Sequence, residues 1–167
     1  MEITYRAARP SDAAQLLSFL KAVGGESDNL SFGADGVPFC AEQEEHFLEN
    51  LSKDSRSVML LALDGETIVA NGCIEGYKNL RFRHRCNLAI SVRKPYWGNG
   101  IGSEMMRRLI AFAKESGAEV ISLEVRSDNE RAKALYRKFG FTRYGVYEKF
   151  FKLGDAYFGA DCMNLFL

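Results

Sequence analysis

The stretch that decides the fold is residues 92–103, which read VRKPYWGNGIGS. It follows residues 86–92, where larger apolar side chains alternate with small or polar ones in the period of a β-strand. Three glycines then alternate within five residues, and a helical pattern of apolar residues begins directly after them. Glycine lets backbone N–H groups approach a ligand closely, and the unpaired N–H groups of a first helical turn bind phosphate oxygens. The stretch therefore predicts a strand, a phosphate-binding loop and a helix.

The spacing of the glycines separates this loop from two other phosphate-binding motifs. A GxGxxG dinucleotide motif that starts at Gly98 would need its third glycine at the position of Ser103. A P-loop needs GxxxxGK followed by Ser or Thr, and the sequence contains no such string. A tight strand-to-helix turn that binds nothing stays open as the alternative, because glycine is above all a turn residue.

A second motif begins about thirty residues further on, after one more predicted strand, and residues 129–141 read NERAKALYRKFGF. Together the two stretches resemble the GNAT superfamily of N-acetyltransferases, in particular bacterial enzymes that act on small amines or N-termini. The loop matches the family pattern Arg/Gln-x-x-Gly-x-Gly/Ala at Gly100 and Gly102. The second pattern, Asn-x-x-Ala-x-x-Leu-Tyr-x-x-x-Gly-Phe, is matched at Asn129, Ala132, Leu135, Tyr136, Gly140 and Phe141.

The resemblance implies a fold and a co-substrate. The expected fold is α/β (α+β), a mixed central sheet of about seven strands flanked by about four helices, as one N-acetyltransferase domain over residues 1–167. The co-substrate is acetyl-CoA, whose pantetheine pairs with the central strand and whose pyrophosphate lies on the loop. The cofactor-binding residues implied are Ile90, Ser91, Val92, Trp97, Gly98, Asn99, Gly100, Ile101, Gly102, Ser103, Asn129, Ala132 and Tyr136.

Trp97 departs from the family pattern, because the first position of the loop motif is usually Arg or Gln. Backbone N–H groups supply much of the grip on the pyrophosphate, and a tryptophan retains its own. We therefore expect acetyl-CoA binding to survive without that side-chain contact.

The implied chemistry is direct transfer of acetyl to an amine. An aliphatic ammonium with a pKa of about 10 must lose its proton before it can attack, and attack leaves negative charge on the thioester oxygen. Tyr136 occupies the position of the family's tyrosine and is predicted to protonate the departing thiolate, although its helical spacing also suits a core aromatic. Glu75, at the end of the third predicted strand, is the predicted base. Glu124 and Glu148 compete for that role.

The acceptor is predicted to be a small-molecule or peptide amine. The loop-like segment at residues 24–40 contains Glu26, Asp28, Asn29 and Phe32, which are the predicted substrate-binding residues, since a pair of carboxylates would select a cationic amine. A homodimer is a further expectation from the resemblance. The competing function is a sensor or interaction module that binds CoA without turning it over, because a fold can persist after its catalytic activity is lost.

The order of elements can be read from the same patterns. Helices are predicted at residues 11–23, 42–51, 100–116 and from a capping box at residues 127–130 to Gly140, and strands at residues 3–8, 57–63, 67–74, 86–92, 120–125, 141–153 and 156–166.

Charge and composition limit the partners. Lys plus Arg and Asp plus Glu each number 22, so the formal net charge is zero, which argues against nucleic acid or an anionic membrane as a partner. No signal peptide or membrane-spanning run is evident, which predicts a cytoplasmic protein. The four cysteines and two histidines lack metal-ligand spacing, so we predict free, mostly buried thiols and no metal.

Overall fold

The computed structural model describes residues 2–167 as a seven-stranded mixed sheet flanked by four α-helices, as the sequence predicted. Three single-turn 3₁₀ helices lie in the connections. The α-helices are α1 (Ala13–Glu26), α2 (Ala41–Ser52), α3 (Ile101–Glu115) and α4 (Glu130–Lys138). The strands are β1 (Ile3–Ala7), β2 (Val58–Asp64), β3 (Thr67–Gly76), β4 (Arg85–Val92), β5 (Val120–Arg126), β6 (Thr142–Leu153) and β7 (Ala156–Phe166).

The strand order across the sheet is β1-β2-β3-β4-β5-β7-β6. Every neighbouring pair is antiparallel except β4 and β5, which run parallel because α3 carries the chain back between them. Hence the two strands at the centre of the sheet both end on the same side, where the loop before α3 begins.

The parallel pair opens soon after it forms. Residues Arg85–Asn87 of β4 pair with Val120–Ser122 of β5, but β4 then continues to Val92 and β5 to Arg126 without pairing to each other. The two strands therefore diverge, and the backbone edge of β4 that faces β5 keeps free donors and acceptors. This divergence creates a cleft in the middle of the sheet.

The core lies on both faces of the sheet. Helices α3 and α4 pack on one face, where Met106 and Leu109 of α3 lie against Ile121 and Leu123 of β5. Helices α1 and α2 cover the other face only at the β1–β3 side, through a separate buried cluster that includes Leu16, Leu48 and Leu61. In the part of the chain that the structure describes, neither α1 nor α2 packs extensively on β4 or β5, so that half of the second face is uncovered beside the cleft.

The N-termini of α1 and α4 are stabilised in different ways, and the cap of α4 differs from the predicted one. The Asp12 side chain does not cap α1; it accepts a hydrogen bond from the backbone N–H of Arg9 at 2.7 Å and pairs with Arg6. At α4 the N-cap is Asn129, not Ser127, and the Asn129 side chain accepts from the N–H of Ala132 at 3.2 Å. Ser127, the predicted cap, instead donates a hydrogen bond to the buried carboxylate of Asp161 on β7, so its hydroxyl makes a tertiary contact and does not cap the helix.

Strands β6 and β7 form a long hairpin at the edge of the sheet. Its register shifts between Tyr147 and Phe151, where Lys149 adopts a left-handed backbone conformation with φ 54°. A bulge of this kind breaks the alternation of side chains between the two faces. Across residues 2–167, no helix is both long and apolar enough to traverse a bilayer.

Candidate active site

The divergence of β4 and β5 forms a cleft of about 710 Å³. This volume lies within the range of pockets that hold small molecules and cofactors. The cleft runs from the loop before α3, past the open edge of β4, to the uncovered face of the sheet. Of the predicted cofactor-binding residues, all but Asn99 line it, namely Ile90, Ser91, Val92, Trp97, Gly98, Gly100, Ile101, Gly102, Ser103, Asn129, Ala132 and Tyr136.

One end of the cleft is formed by the glycine-rich loop and the start of α3. Gly98 and Gly100 have φ values of 80° and 79°, which side chains disfavour, and a Cβ on either would meet open space. Gly102 differs from these two, since a Cβ there would lie in close contact with Leu135 of α4, at 3.2 Å. The loop therefore turns sharply and leads into the unpaired N–H groups of the first turn of α3 at the cleft.

Three side chains stabilise this end. The cap that Asn129 supplies fixes the start of α4 beside the loop. The side chain of Asn99 lies outside the cleft lining and donates to the carbonyl of Trp97 at 3.3 Å. Lys138 lines the cleft and donates to Ser103 Oγ at 3.3 Å, which adds a positive charge near the N-terminus of α3.

Trp97 is held in place by its own polar atom. Its indole Nε1 donates to the carbonyl of Val92 at 2.7 Å, so the ring folds back against the end of β4. The guanidinium carbon of Arg131 on α4 lies 3.0 Å from the centre of the indole ring. Both residues line the cleft.

Tyr136 lies in the middle of the cleft lining, on α4. Its ring is 7% exposed and packs against Phe141, with the ring centres 5.9 Å apart. Burial raises the pKa of the Tyr136 hydroxyl to about 12, so the group is a proton donor throughout the neutral range. The position is therefore part of both the core and the cleft lining, so the packing role and the predicted proton-donor role are both compatible with it.

The three candidate carboxylates are placed differently. Glu124 of β5 lines the cleft, beyond the point where β5 leaves β4. Glu75 is exposed on β3 opposite Asn87, at the paired part of the sheet, and does not line the cleft. Glu148 is exposed in the β6 bulge and does not line it either. Of the three carboxylates, Glu124 alone shares the cleft lining with Tyr136.

The predicted acceptor loop divides into two pairs. Asn29 and Phe32 line the cleft. The Glu26 carboxylate instead accepts from Arg93 Nε and from the backbone N–H of Lys94, both at 2.6 Å, and this ties the end of α1 to the segment after β4. The carbonyl of Asp28 accepts from Arg126 at 2.9 Å, and the residue is exposed outside the cleft lining.

The comparisons with known proteins agree with this geometry. A family model described as the acetyltransferase (GNAT) family matches residues 27–141. The chain belongs to the GNAT family. This match confirms the resemblance that the two motifs indicated. Members of this family use acetyl-CoA.

Individual relatives are similar over different lengths. The N-alpha-acetyltransferase RimI of Mycobacterium tuberculosis is 43% identical over 67 residues, a match that spans only 40% of this chain and 40% of that protein. A GNAT-family acetyltransferase structure from Streptococcus pneumoniae is 32% identical, with a TM-score of 0.95 over 99% of both chains. The structure of yncA from Salmonella typhimurium, solved with acetyl-CoA, has a TM-score of 0.86 at 17% identity over 99% of this chain and 94% of its own, which shows a shared fold.

The residues of this GNAT chain fit acetyl-CoA on three observations. The open edge of β4 offers backbone groups to an extended amide chain, the loop offers N–H groups to phosphates, and the cationic side chains in the lining, Arg131 and Lys138, lie at the loop end. Glu124 is the sole carboxylate among the lining residues of the part of the chain described. The cleft therefore has a positive end and a negative end.

Several lining residues were missed by sequence reasoning. Phe150 and Phe151 are adjacent in sequence, and both line the cleft because the β6 bulge interrupts the alternation of strand residues. Asn71 of β3 accepts a hydrogen bond from Ser91 on the cleft face, and Cys73 lies one strand period further along. Arg131 lies inside the motif at residues 129–141, but at a position where the pattern allows any residue. Only the register of β3 against β4 could have identified Asn71 in advance.

All four cysteines are free, and one of them, Cys73, lines the cleft. Cys73 and Cys86 are buried and Cys162 is partly buried, whereas Cys40 is exposed, so the prediction of mostly buried free thiols is correct except at Cys40. Burial, followed by the charge of Glu75, raises the pKa of the Cys73 thiol to about 12. That thiol stays protonated and is a poor nucleophile although it lines the cleft. Within residues 2–167, no three His, Cys, Asp or Glu side chains come together as a metal site.

Proposed function

We propose that this protein transfers the acetyl group of acetyl-CoA directly to a primary amine, carried by a small amine, an amino acid or a protein N-terminus. The observation that carries the proposal is the distribution of charged side chains along the cleft. One end presents loop N–H groups, Arg131 and Lys138 to phosphates, and the other presents Glu124 to a cation, with Tyr136 in the lining as well. Acetyl-CoA supplies an acetyl group activated as a thioester.

Glu124 is the proposed base. A carboxylate attracts the protonated amine and can then accept its proton, directly or through one water molecule. The cleft lining supports Glu124 over Glu75, because a base must lie within hydrogen-bond reach of the proton that it removes. Glu75 stays the prediction made from the sequence and is tested against Glu124 below.

Tyr136 is proposed to donate a hydrogen bond to the departing sulfur. With a pKa of about 12, its hydroxyl remains protonated at neutral pH. Complete transfer of its proton to a thiolate of ordinary pKa, near 8.5, would be uphill by roughly 5 kcal/mol. The phenol therefore stabilises the developing charge on sulfur, and the acceptor amine or solvent provides the proton that the thiolate finally takes.

Backbone groups of β4 are proposed to stabilise the charge on the thioester oxygen. Residues 89–92 lie beyond the last β4–β5 pair and line the cleft. A fixed N–H donor at such an edge needs no reorganisation when charge develops. The high pKa of Cys73 supports direct transfer over an acyl-enzyme route, because the thiol beside the reaction path is kept protonated.

The acceptor end favours an amine attached to an apolar group. Phe32, Phe150 and Phe151 line the cleft at this end together with Asn29. Aromatic walls with one carboxylate suit a cationic head on an apolar body. Since RimI of Mycobacterium tuberculosis is by name an N-alpha-acetyltransferase, peptide N-termini are the first class to test.

The experiment that tests the function is an acceptor screen. The purified protein is incubated with acetyl-CoA and a panel of N-terminal peptides, free amino acids and small amines, and products are analysed by mass spectrometry for the gain of one acetyl group. We expect acetylation at a primary amine together with CoA release. Tight binding of acetyl-CoA with no product anywhere in the panel would favour the CoA-binding sensor instead. Residence in the cytoplasm, a homodimer and the absence of a nucleic-acid partner remain predictions.

A further inference from the structure

The loop that faces the phosphates carries no charge of its own. Residues 97–103 read WGNGIGS, and none of their side chains is cationic. Backbone N–H groups supply only partial charges, whereas a CoA molecule brings several full negative charges. A cation from elsewhere in the fold would therefore add substantially to the grip.

Arg131 is placed to supply that cation. It lines the cleft in the first turn of α4, and its guanidinium carbon lies 3.0 Å from the centre of the Trp97 indole ring. The indole is itself fixed by its hydrogen bond to Val92. Stacking on an aromatic face leaves the edge of a guanidinium, with its five N–H donors, free for an anion.

The charge of Arg131 is not used by the protein itself. Among residues 2–167, no ion pair or side-chain hydrogen bond includes its guanidinium. Arg131 is exposed as a whole, and partial burial lowers the pKa of its guanidinium. A cation that lines a cleft without an ion-pair partner is available to bind an anion.

We propose that Arg131, held against the Trp97 ring, binds a phosphate group of CoA and supplies the side-chain charge that the glycine-rich loop lacks. The inference rests on the proposed use of acetyl-CoA. In this proposal the Trp97 indole orients the guanidinium that binds the ligand. Trp97 therefore contributes to CoA binding indirectly, through Arg131 of α4.

Binding can be measured without turnover, because Trp97 is the only tryptophan in the chain. Quenching of its fluorescence on titration with CoA, checked by calorimetry, gives the dissociation constant. The variant is Arg131→Gln, and the matched control is Arg137→Gln, which removes the same charge from the same helix at an exposed position outside the cleft lining. Circular dichroism and thermal unfolding establish that both variants are folded.

We expect Arg131→Gln to weaken CoA binding about tenfold, as the loss of a charge-assisted contact to phosphate implies, and Arg137→Gln to change it less than twofold. Dephospho-CoA identifies the phosphate. If the 3′-phosphate is bound, the variant and the parent bind dephospho-CoA equally; if the pyrophosphate is bound, the tenfold difference persists. Equal binding of CoA by Arg131→Gln and the parent, or equal losses in both variants, would overturn the proposal.

The role of the indole is tested in a second background. In Trp97→Leu, measured by calorimetry, Arg131→Gln should weaken CoA binding less than it does in the parent, since the guanidinium is no longer held. If Arg131→Gln weakens CoA binding as much in Trp97→Leu as in the parent, the role given to Trp97 is overturned.

This proposal and the proposed function can be overturned independently of each other. A parent that binds CoA through Arg131 but acetylates nothing ends only the proposed function, whereas active transfer with CoA binding unaffected by Arg131→Gln ends only this one.

Discussion

The phosphate end and the acceptor end of the cleft are built in different ways. The phosphate end comes from one continuous stretch, residues 97–103, with the first turn of α4 beside it, and it presents mainly backbone N–H groups. The acceptor end takes residues 29–32, Glu124 and residues 150–151 from segments about 90 and 25 residues apart in the sequence, and it presents side chains.

This difference has a consequence for substitution. A site made of backbone groups depends on φ angles and helix position, so it tolerates an unusual side chain such as Trp97. A site made of side chains depends on the identity of each residue, so a single change in it can remove a chemical group outright. We therefore expect the largest effects on turnover from the acceptor side and from Tyr136, and effects on binding from the loop.

The sharpest comparison is between two glutamates on the same face of the sheet, Glu75 outside the cleft lining and Glu124 within it. Glu124→Gln should lower kcat about 10²–10³-fold with little change in acetyl-CoA affinity, because the amide cannot take a proton from the acceptor. Glu75→Gln is the matched control and should retain parental kcat. Steady-state kinetics with the acceptor found in the screen, over a range of pH, measures both. A loss in Glu75→Gln with parental activity in Glu124→Gln would reinstate Glu75 as the base.

A substitution at Tyr136 distinguishes a packing role from a catalytic role of this side chain. Tyr136→Phe keeps the ring and its contact with Phe141 and removes only the hydroxyl, so we expect kcat to fall about 10–100-fold with the dissociation constant of acetyl-CoA unchanged. The raised pKa also predicts the pH profile. The neutral donor is present at every pH below about 12, so Tyr136 should impose no alkaline fall in kcat between pH 7 and 10. Parental kcat in Tyr136→Phe would leave the residue a core aromatic.

The sequence predicted the phosphate end better than the acceptor end for a physical reason. A backbone site needs a fixed local spacing of glycines and a helix start, and such spacing is visible in residues 92–103 without knowledge of the fold. The acceptor end depends on tertiary placement, and only two of its four predicted residues, Asn29 and Phe32, line the cleft. Glu26 and Asp28 have the right charge, but the Glu26 carboxylate accepts from Arg93, and Asp28 lies exposed outside the cleft lining with its backbone carbonyl bonded to Arg126. Phe150 and Phe151 reach the cleft through a bulge that strand periodicity does not reveal.

Two glycines with the same backbone angle test whether the loop is more than a turn. Gly100 and Gly117 have φ values of 79° and 80°, and a Cβ on either would meet open space. Alanine at each position should cost about 1–2 kcal/mol in the free energy of unfolding, because both force a side chain into the left-handed region. Only Gly100→Ala should also weaken acetyl-CoA binding, about tenfold, since only that loop lines the cleft. Equal acetyl-CoA affinities in the two variants, measured by calorimetry, would leave the glycines as turn residues alone.

The smallest effect is expected where the acceptor loop joins the phosphate loop. Glu26→Gln weakens two short hydrogen bonds, from Arg93 and from the N–H of Lys94. The Arg93 and Glu26 side chains are 29% and 18% exposed, so solvent screening reduces the loss to about 1 kcal/mol in the free energy of unfolding. Urea denaturation measures this loss, with Glu45→Gln on the exposed side of α2 as the control.

Steady-state kinetics with the acceptor show whether Glu26 has only a structural role or also recognises the acceptor amine. Because the Glu26 carboxylate is occupied by Arg93 and Lys94, its neutralisation should change the KM for the acceptor less than twofold. A rise of tenfold or more in that KM, with parental stability, would show that Glu26 turns towards the amine when the substrate binds. In that case the charge-based prediction from the sequence would be correct, and the acceptor end would contain two carboxylates, Glu124 and Glu26.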